Sequence, residues 1–573
     1  SCASWNGILN FATNSNNPND SGNAYANALL GNFNTYSEST RGINFHAKYW
    51  GLECFAQDNW RLTRRFSLDY GVRFYHLSPQ RDLNHTLAGF SQQAYDPAQA
   101  PRLYRPVLNS QGQRVGADPL TGAQVPAPLI GAFVPGSGNL ANGMIVGGLN
   151  GVPGGLYTIG ALSVTPRLGF AYDISGKGTA VIRGGFGIFE DRFRQLINNN
   201  TTANPPVTFT PTAYYGNLNT FAQASGAIGP SAVSSIAPIS GAKNPSVMNY
   251  SVGIQKQLPL ATVVDIAYVG NVSRHNVQTR NVNPIPLFAQ FDPANTDPTT
   301  KGQPLPNNFY RPYMGLSDIN NYEFASSANY NSLQISAQRR MRKNFGFGAS
   351  FTFSKALGVA SAYGNSVSSY FGPRSYNYGP LTFDRSKAFV LNYMYELPDA
   401  GKQLGNRYLS AITGGWILSG ITSFISGSPF TPSFSTTVAR NTTGSSDGPR
   451  ITVLSNPQLD KSEKSFSRNF RTEAFGLTAV GSFGNAGVGI LRGPGLNNWD
   501  ISLNKRVPVG LGEKRTLQVR LEAYNAFNHT QFTGLNTTAR FNPATGQQVN
   551  AAFGQFTSAA PGRILSLALR FRF

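Results

Sequence analysis

The side chains that most often carry chemistry are few in this sequence and poorly spaced for it. Five histidines, His46, His76, His85, His275 and His529, stand far apart and form no His-Glu-x-x-His pair, the spacing that sets two imidazoles on one helix face around zinc. Each reads as a loop or lumen residue rather than a ligand. Cys2 and Cys54 are the only cysteines, too few for a disulfide framework and without metal-ligand spacing. Gly484-Asn-Ala-Gly487-Val-Gly489 has the outline of a phosphate cradle, but no Lys-Ser or Lys-Thr follows it and no strand–loop–helix unit surrounds it, so it reads as a flexible loop. Asp384 and Arg385 read as an ion pair inside a lumen. No acid, base and nucleophile set assembles from these residues, so no catalytic, cofactor-binding or metal-binding residue and no enzymatic activity are expected.

Chemistry of this kind needs elements to hold it, and the composition says which elements to expect. Hydrophobic residues make up 40% of the 573, charged residues 13% and aromatics 12%, with 61 glycines. That mixture is poor for helices and good for aromatic-rich strands joined by wide loops. No run of about 18 or more apolar residues is present, so a membrane reading must go through strands. In hydrocarbon an open sheet edge leaves backbone groups unpaired, so strands span a bilayer only as a closed barrel. The formal charge of +21 would point to nucleic acid in a soluble protein, but the arginines are scattered along alternating strands and turns. They read as facing a wet lumen and anionic lipid headgroups, with an anion-attracting lumen as the alternative; no nucleic-acid partner is expected. Ser1 to Asn10 hold no signal peptide, which in an exported barrel implies a mature or truncated chain.

Period-2 alternation is the decisive pattern. In Arg563 to Phe573, Leu565, Leu567, Leu569, Phe571 and Phe573 fall on one face and Ser566, Ala568, Arg570 and Arg572 on the other, over the length of a tilted transmembrane strand. Phe66, Leu68, Tyr70, Val72 and Phe74 alternate likewise with Ser67, Asp69, Gly71 and Arg73, and similar alternation runs through 345–353 and 517–523, with charges on one face only. The pattern predicts strands near 49–58, 65–75, 164–173, 178–189, 247–258, 262–272, 330–341, 345–356, 386–396, 415–426, 497–507, 514–526 and 563–573, and a weaker candidate at Ser4 to Ala12. Tight turns are expected at 61–64, 175–177, 259–261, 342–344 and 508–513. Between the pairs lie long segments rich in Gly, Pro, Asn and Ser at 76–163, 190–246, 273–329, 357–385, 427–496 and 527–562. The fold class is therefore all-β, an antiparallel up-and-down barrel of the outer-membrane type in one domain over 1–573. Short periplasmic turns and long extracellular loops would place the C-terminus in the periplasm.

Several phrases then resemble the barrel of TonB-dependent transporters, specifically the Oar-like branch. They are Gln57-Asp-Asn-Trp-Arg-Leu-Thr63 with Asp69-Tyr-Gly-Val-Arg73, Pro166-Arg-Leu-Gly-Phe170 with Ile182-Arg-Gly-Gly-Phe-Gly187, Tyr330-Asn-Ser-Leu-Gln334, Ser354-Lys-Ala-Leu357 and Phe383-Asp-Arg385. Gly415-Trp416, Ser426-Gly-Ser-Pro-Phe430, Arg492-Gly-Pro-Gly495 with Trp499-Asp500, and Glu522-Ala-Tyr-Asn-Ala-Phe-Asn528 follow in the family's order. The resemblance implies a gated outer-membrane receptor of about 22 strands whose lumen is filled by a plug. In that family the plug precedes the barrel and contacts TonB. No plug is found here and the strand count falls short, which reads as a fragment that begins inside the barrel.

The expected function is uptake of an unidentified ligand across the outer membrane, with a surface structural or adhesive barrel, or a passive porin-like channel, as alternatives. Leu565, Leu567, Leu569, Phe571 and Phe573 resemble the signal read by the barrel-assembly machinery. Trp50, Trp60, Tyr70, Phe74, Tyr393, Tyr395, Trp416 and Trp499 are the candidates for aromatic girdles at the lipid headgroups. The expected partners are outer-membrane lipid, the assembly machinery, TonB through a plug, and the ligand.

Overall fold

A computed structural model describes residues 6–15, 17–160, 162–193, 200–223, 226–237, 239–509 and 515–572. One large sheet dominates it. Its strands, in chain order, are β1 Gly51–Arg61, β2 Phe66–Leu77, β3 Ser163–Asp173, β4 Ala180–Glu190, β5 Ser246–Leu258, β6 Thr262–Asn281, β7 Leu316–Arg342, β8 Phe345–Gly358, β9 Lys387–Glu396, β10 Trp416–Ile425, β11 Leu496–Pro508, β12 Thr516–Tyr524 and β13 Ile564–Arg572. Each pairs antiparallel with the next, from β1 at one edge to β13 at the other. Every segment predicted from alternation is a strand of this sheet. Of the further candidate at Ser4 to Ala12, residues 4 and 5 lie outside the described residues, and Ile8–Asn10 pairs with Thr35–Ser37 in a separate small sheet.

Antiparallel partners share a face, so the register shows how the faces continue around the wall. Phe66 pairs Tyr172, and the row runs on through Ile182, Ile254, Ile266, Ile335, Phe351 and Phe389 to Phe424. Every member from β2 to β10 is large and apolar. The row starts beside the short turn of β2 and ends beside the long loop of β10, the stagger that tilted barrel strands require. At β12–β13 the same face carries Leu517 opposite Phe571, Val519 opposite Leu569, Leu521 opposite Leu567 and Ala523 opposite Leu565. Leu168, Val252, Ile266, Leu333, Phe353 and Leu521 on this face are exposed. A belt of this extent on one face marks the surface that meets lipid.

Across the belt, rings settle over glycines on the neighbouring strand. Phe170 lies over Gly184, Tyr250 over Gly270 and Tyr393 over Gly420, where an added Cβ would collide with the ring. Outside the segments quoted for alternation, charges also reach the apolar face. Lys256, Lys355, Lys387 and Lys505 share the register of the apolar face, through their partners Val264, Asn331, Phe353 and Trp416. All four stand near strand ends, where a long side chain can reach headgroups.

The short turns follow local chemistry. Lys343 and Asn344 both have positive φ, the two-residue hairpin whose twist matches the flanking strands. Thr63 Oγ1 accepts from the Arg65 and Phe66 amides at 3.1 and 3.0 Å. The turn expected at 508–513 lies partly outside the described residues. Between β9 and β10 the chain instead folds into two short helices, α1 Ala400–Gln403 and α2 Arg407–Thr413.

The packed cores lie in the long segments, not in the wall. Leu87, Leu156, Tyr157, Phe193, Ile236, Val277, Tyr322 and Phe324 form one cluster, and Ile451, Phe470, Phe475, Leu491, Phe541 and Phe553 another. The stretch 273–329, expected as loop, continues β6 to Asn281 and β7 from Leu316 beyond register shifts at Ser273 to Val277, with residues 231–237 added in parallel to 316–323, and only 282–315 between them are irregular or in short 3-10 turns. Nor is Gly484–Gly489 a flexible loop. Ala486 is buried in the second cluster, Gly484 stands where a Cβ would overlap the Arg450 carbonyl, and Asn485 Oδ1 accepts from the Val453 amide at 2.6 Å.

Candidate functional site

The face opposite the belt is polar, and its charges are unevenly placed. On β1 to β4 it carries Glu53, Arg61, Asp69, Arg73, Arg167 and Arg183, and on β11 to β13 Asp500, Arg506, Arg520, Glu522 and Arg570. From β5 to β10 the same face is mostly Ser, Asn, Gln, Gly and small apolar residues, such as Asn249, Ser251, Gln334, Ser336, Ser350, Asn392 and Ser423. Three of these cations have polar partners on the same face. Arg73 pairs with Glu53, Arg520 with Glu522 at 2.6 Å, and Arg183 donates to Gln255. Glu53 and Glu522 thus neutralise Arg73 and Arg520, while Arg183 keeps its charge beside a neutral amide.

Cavities open on this polar side among the described residues. A hollow of about 820 Å³ lies along β7 to β12, with Gln338, Asn392, Ser419, Asp500, Arg520 and Glu522 in its lining. Asp500 is engaged there, accepting the Asn525 amide at 2.9 Å. The second, of about 540 Å³, sits at the long-loop ends of β6, β7 and β8 under the segment 360–383. Its lining includes Asn271, Ser273, Asn276, Tyr330, Tyr363 and Phe383 and no charged residue. Its volume suits a small ligand, and its amides, hydroxyls and rings can supply hydrogen bonds and stacking without a fixed charge.

Beside this second cavity, four of the phrases singled out in the sequence come together. Asp384 is buried and takes a hydrogen bond at Oδ1 from the Ala356 amide at 2.7 Å, while its Oδ2 pairs with Arg492. Arg492 Nη1 also donates to the Gly427 carbonyl at 3.1 Å, and the Gly493 amide to the Ser428 carbonyl at 2.9 Å. Ser354 Oγ donates to the Arg385 carbonyl at 2.9 Å. The expected Asp384–Arg385 pair is therefore corrected: adjacent residues point apart here, and the partner of Asp384 is Arg492, 108 positions away. Arg385 Nη1 donates instead to the Asp384 carbonyl at 2.9 Å. The Glu522–Asn528 phrase likewise has a local reason. Asn525 and Asn528 both take positive φ as the chain leaves β12, which asparagine tolerates, and Trp499 packs edge-on against Phe527.

The residues marked from the sequence fall as follows. Leu565, Leu567, Leu569 and Phe571 lie on the apolar face of β13, exposed; Phe573 lies outside the described residues. Trp60, Tyr70, Phe74, Tyr393, Tyr395, Trp416 and Trp499 share that face by register. Trp50 precedes β1 and stacks on His76 at 4.4 Å. Of these, Trp60, Tyr395 and Trp416 stand at short-turn ends, Phe74 and Trp499 toward long-loop ends, and Tyr70 mid-strand, where its hydroxyl donates to Asp58 at 3.1 Å. His85 faces the Gly147 carbonyl at 2.9 Å and His275 the Phe324 carbonyl at 3.4 Å, both among the long segments. Among the described residues no three of His, Cys, Asp and Glu come together as a metal site. The uncharged rim cavity was missed by sequence reasoning, because its lining joins positions from 271 to 383 that share no local pattern.

Comparison with known proteins agrees with this architecture. Residues 2–566 match the family model described as an outer membrane beta barrel domain. No curated protein matches the sequence. Among solved structures the chain is similar to the outer membrane transporter YddB from Escherichia coli at 10% identity and a TM-score of 0.40, covering 94% of this chain and 55% of that one. It is similar to the ferric-catecholate import receptor Fiu from Escherichia coli K12 at 12% identity and a TM-score of 0.36, covering 94% and 45%. For the ferric yersiniabactin uptake receptor FyuA from Yersinia pestis the values are 11%, 0.35, 94% and 47%. The chain thus spans about half the length of each of these three structures. With a family model matched along nearly its whole length and a two-faced antiparallel wall to go with it, the chain belongs to the outer membrane β-barrel domain family.

Proposed function

We propose that this chain forms the barrel wall and surface loops of a TonB-dependent outer-membrane receptor that takes up a small ligand. The observation that carries the reading is the about 540 Å³ uncharged cavity on the polar side of the sheet, where strands that can cross the membrane pass into packed loops. A ligand held there by Asn271, Asn276, Tyr330 and Tyr363 would sit at the entrance to the lumen, the place where a receptor first meets its cargo. The phrase order shared with TonB-dependent transporters supports coupling to TonB through a plug that belongs to the whole protein. In this reading the whole chain is one barrel unit, the long segments are extracellular and the short turns and Phe573 periplasmic. The tryptophans and tyrosines at strand ends form the headgroup girdles, and the apolar residues of β13 are read by the assembly machinery.

The test compares solutes removed from the medium by cells with and without the gene, each with and without a protonophore. A TonB-coupled receptor gives a gene-dependent depletion that the protonophore abolishes. Depletion that persists without proton-motive force would make the chain a passive channel, and adhesion lost without any change in depletion would make it a surface structural protein.

A further inference from the structure

The helical connection between β9 and β10 differs from the other described short-side turns in being helical and in the surface it presents. Asp399 fastens it internally, accepting from the Lys402 amide at 3.0 Å, from Thr413 Oγ1 at 3.1 Å and from Ser410 Oγ. Asn406 caps α2 through the Tyr408 and Leu409 amides, both at 3.0 Å. Gly401 is buried against Ser410, where any Cβ would overlap the backbone. The two helices are thus fastened to each other, and yet Leu404, Tyr408 and Ile412, spaced by four residues, are 74%, 78% and 68% exposed. Lys402 and Arg407 are exposed beside them.

Where this pair is attached decides what the apolar stripe meets. Lys505 lies on the apolar face of β11, opposite Trp416 of β10 at the short-turn end. It is only 8% exposed, because its Nζ donates to the carbonyls of Ala411 and Ile412, both at 2.6 Å. Trp416 Nε1 donates to the same Ile412 carbonyl at 2.9 Å. Unpaired carbonyls and the negative end of the helix dipole thus receive the cation, which explains how a lysine is kept on this face. The C-terminal end of α2 is therefore pinned to the lipid-facing side of the wall, at the level where the apolar belt ends.

We propose that α1 and α2 form an interfacial foot that beds in the headgroup layer of the membrane leaflet at the short-turn end. Leu404, Tyr408 and Ile412 enter the acyl boundary, and Lys402 and Arg407 lie against anionic headgroups, the division of labour of helices that lie in a membrane interface. The proposal rests on the reading that the wall's apolar face meets lipid.

The test places one nitroxide label at a time on the full chain, in a Cys2→Ser, Cys54→Ser background, at Tyr408→Cys, Ile412→Cys, Leu569→Cys on the wall, or Leu454→Cys on an exposed loop. Each variant is reconstituted into vesicles of phosphatidylethanolamine with a minority of phosphatidylglycerol, and label depth is read from collision with oxygen against a nickel chelate. The label at 569 should read deep and that at 454 aqueous, with those at 408 and 412 between them and several-fold better shielded from nickel than 454. Replacing phosphatidylglycerol by phosphatidylcholine should make 408 and 412 shallower. Labels at 408 and 412 as aqueous as 454, with 569 still deep, would overturn the foot alone. An aqueous 569 would overturn the lipid-facing reading on which it rests. Shielding at 408 in cell membranes that vanishes in vesicles would mean a protein partner instead, and would also overturn it.

Discussion

Leu567 and Phe541 are both large apolar side chains on strands, yet Leu567 is 68% exposed and Phe541 1%. The first belongs to the wall, the second to a cluster built from long connections between β10 and β13. In the wall the strands from β2 to β12 satisfy their backbone by pairing on both sides, and all thirteen present their apolar side outward, so lipid does the burying. In the long segments water is the solvent, and a chain of that length must bury its own apolar side chains to stay ordered. The two regions therefore use the same residue types under opposite rules. Segments that look like unstructured linkers by their Gly, Pro, Asn and Ser content hold the packed cores of this protein.

The largest effect is expected in the loops. Phe541→Ala should cost the second loop cluster about 3–5 kcal/mol, the usual price of a large core truncation. Limited proteolysis of the intact protein in membranes should then cut within 430–560, while heat-modifiable migration of the barrel on gels stays unchanged. If barrel migration is lost as well, wall and loops are one cooperative unit and the contrast fails. Next comes the wall, where Leu567→Arg should destabilise by about 2–4 kcal/mol, as for a cation near mid-bilayer on a lipid-facing position. Its neighbour Ser566→Arg, on the polar face, should change denaturant midpoints by no more than about 0.5 kcal/mol. Equal effects at 566 and 567 would remove the distinction between faces.

A smaller effect is expected where the regions join. Asp384→Asn removes the charge that receives Arg492 and should cost about 1.5–3 kcal/mol of rim stability. Hydrogen exchange should then rise at 427–430 and 491–493 and not along β9; an unchanged rim would show that the Arg492 contact holds nothing. The smallest concerns pH. Burial raises the Asp82 carboxyl, but hydrogen bonds from Thr86 and from the His46 amide outweigh it and hold it below the ordinary carboxylate value. A depressed folded value contributes stability that is present above the unfolded value of about 3.9 and lost as pH falls through the folded one. Protease resistance of the 76–163 loop should therefore be flat from neutral pH to about 4 and drop below it, and Asp82→Asn should flatten that drop.

The same contrast explains what could be read from sequence. Wall strands announce themselves because their two environments alternate residue by residue, so Phe66 to Phe74 carry their own fold signal and the boundaries come within a few residues. Where β6 and β7 run on past residue 273, neighbours are other loops rather than lipid and water, alternation fades, and the strands become invisible. Glycines behave similarly. Gly147 and Gly155 look like flexible spacers, but each stands where a Cβ would press on the carbonyl of Gly154 or Gln80, so they mark tight packing. Asp384 illustrates the limit at the site. Its nearest cation in sequence is Arg385, while its partner in space is set by how the loops fold back, which no local spacing encodes. The foot at 400–413 escaped for a further reason: Lys505 is needed to see which side of the wall it lies on.

The most direct test of the two-rule account is a cysteine scan along Ile564–Arg572 in outer membranes, in the Cys2→Ser, Cys54→Ser background, with a membrane-impermeant maleimide. Residues 566, 568 and 570 should label from the aqueous side, and 565, 567 and 569 should resist until the membrane is dissolved in detergent and denatured. Uniform labelling along the strand, or the opposite alternation, would contradict the account at its base.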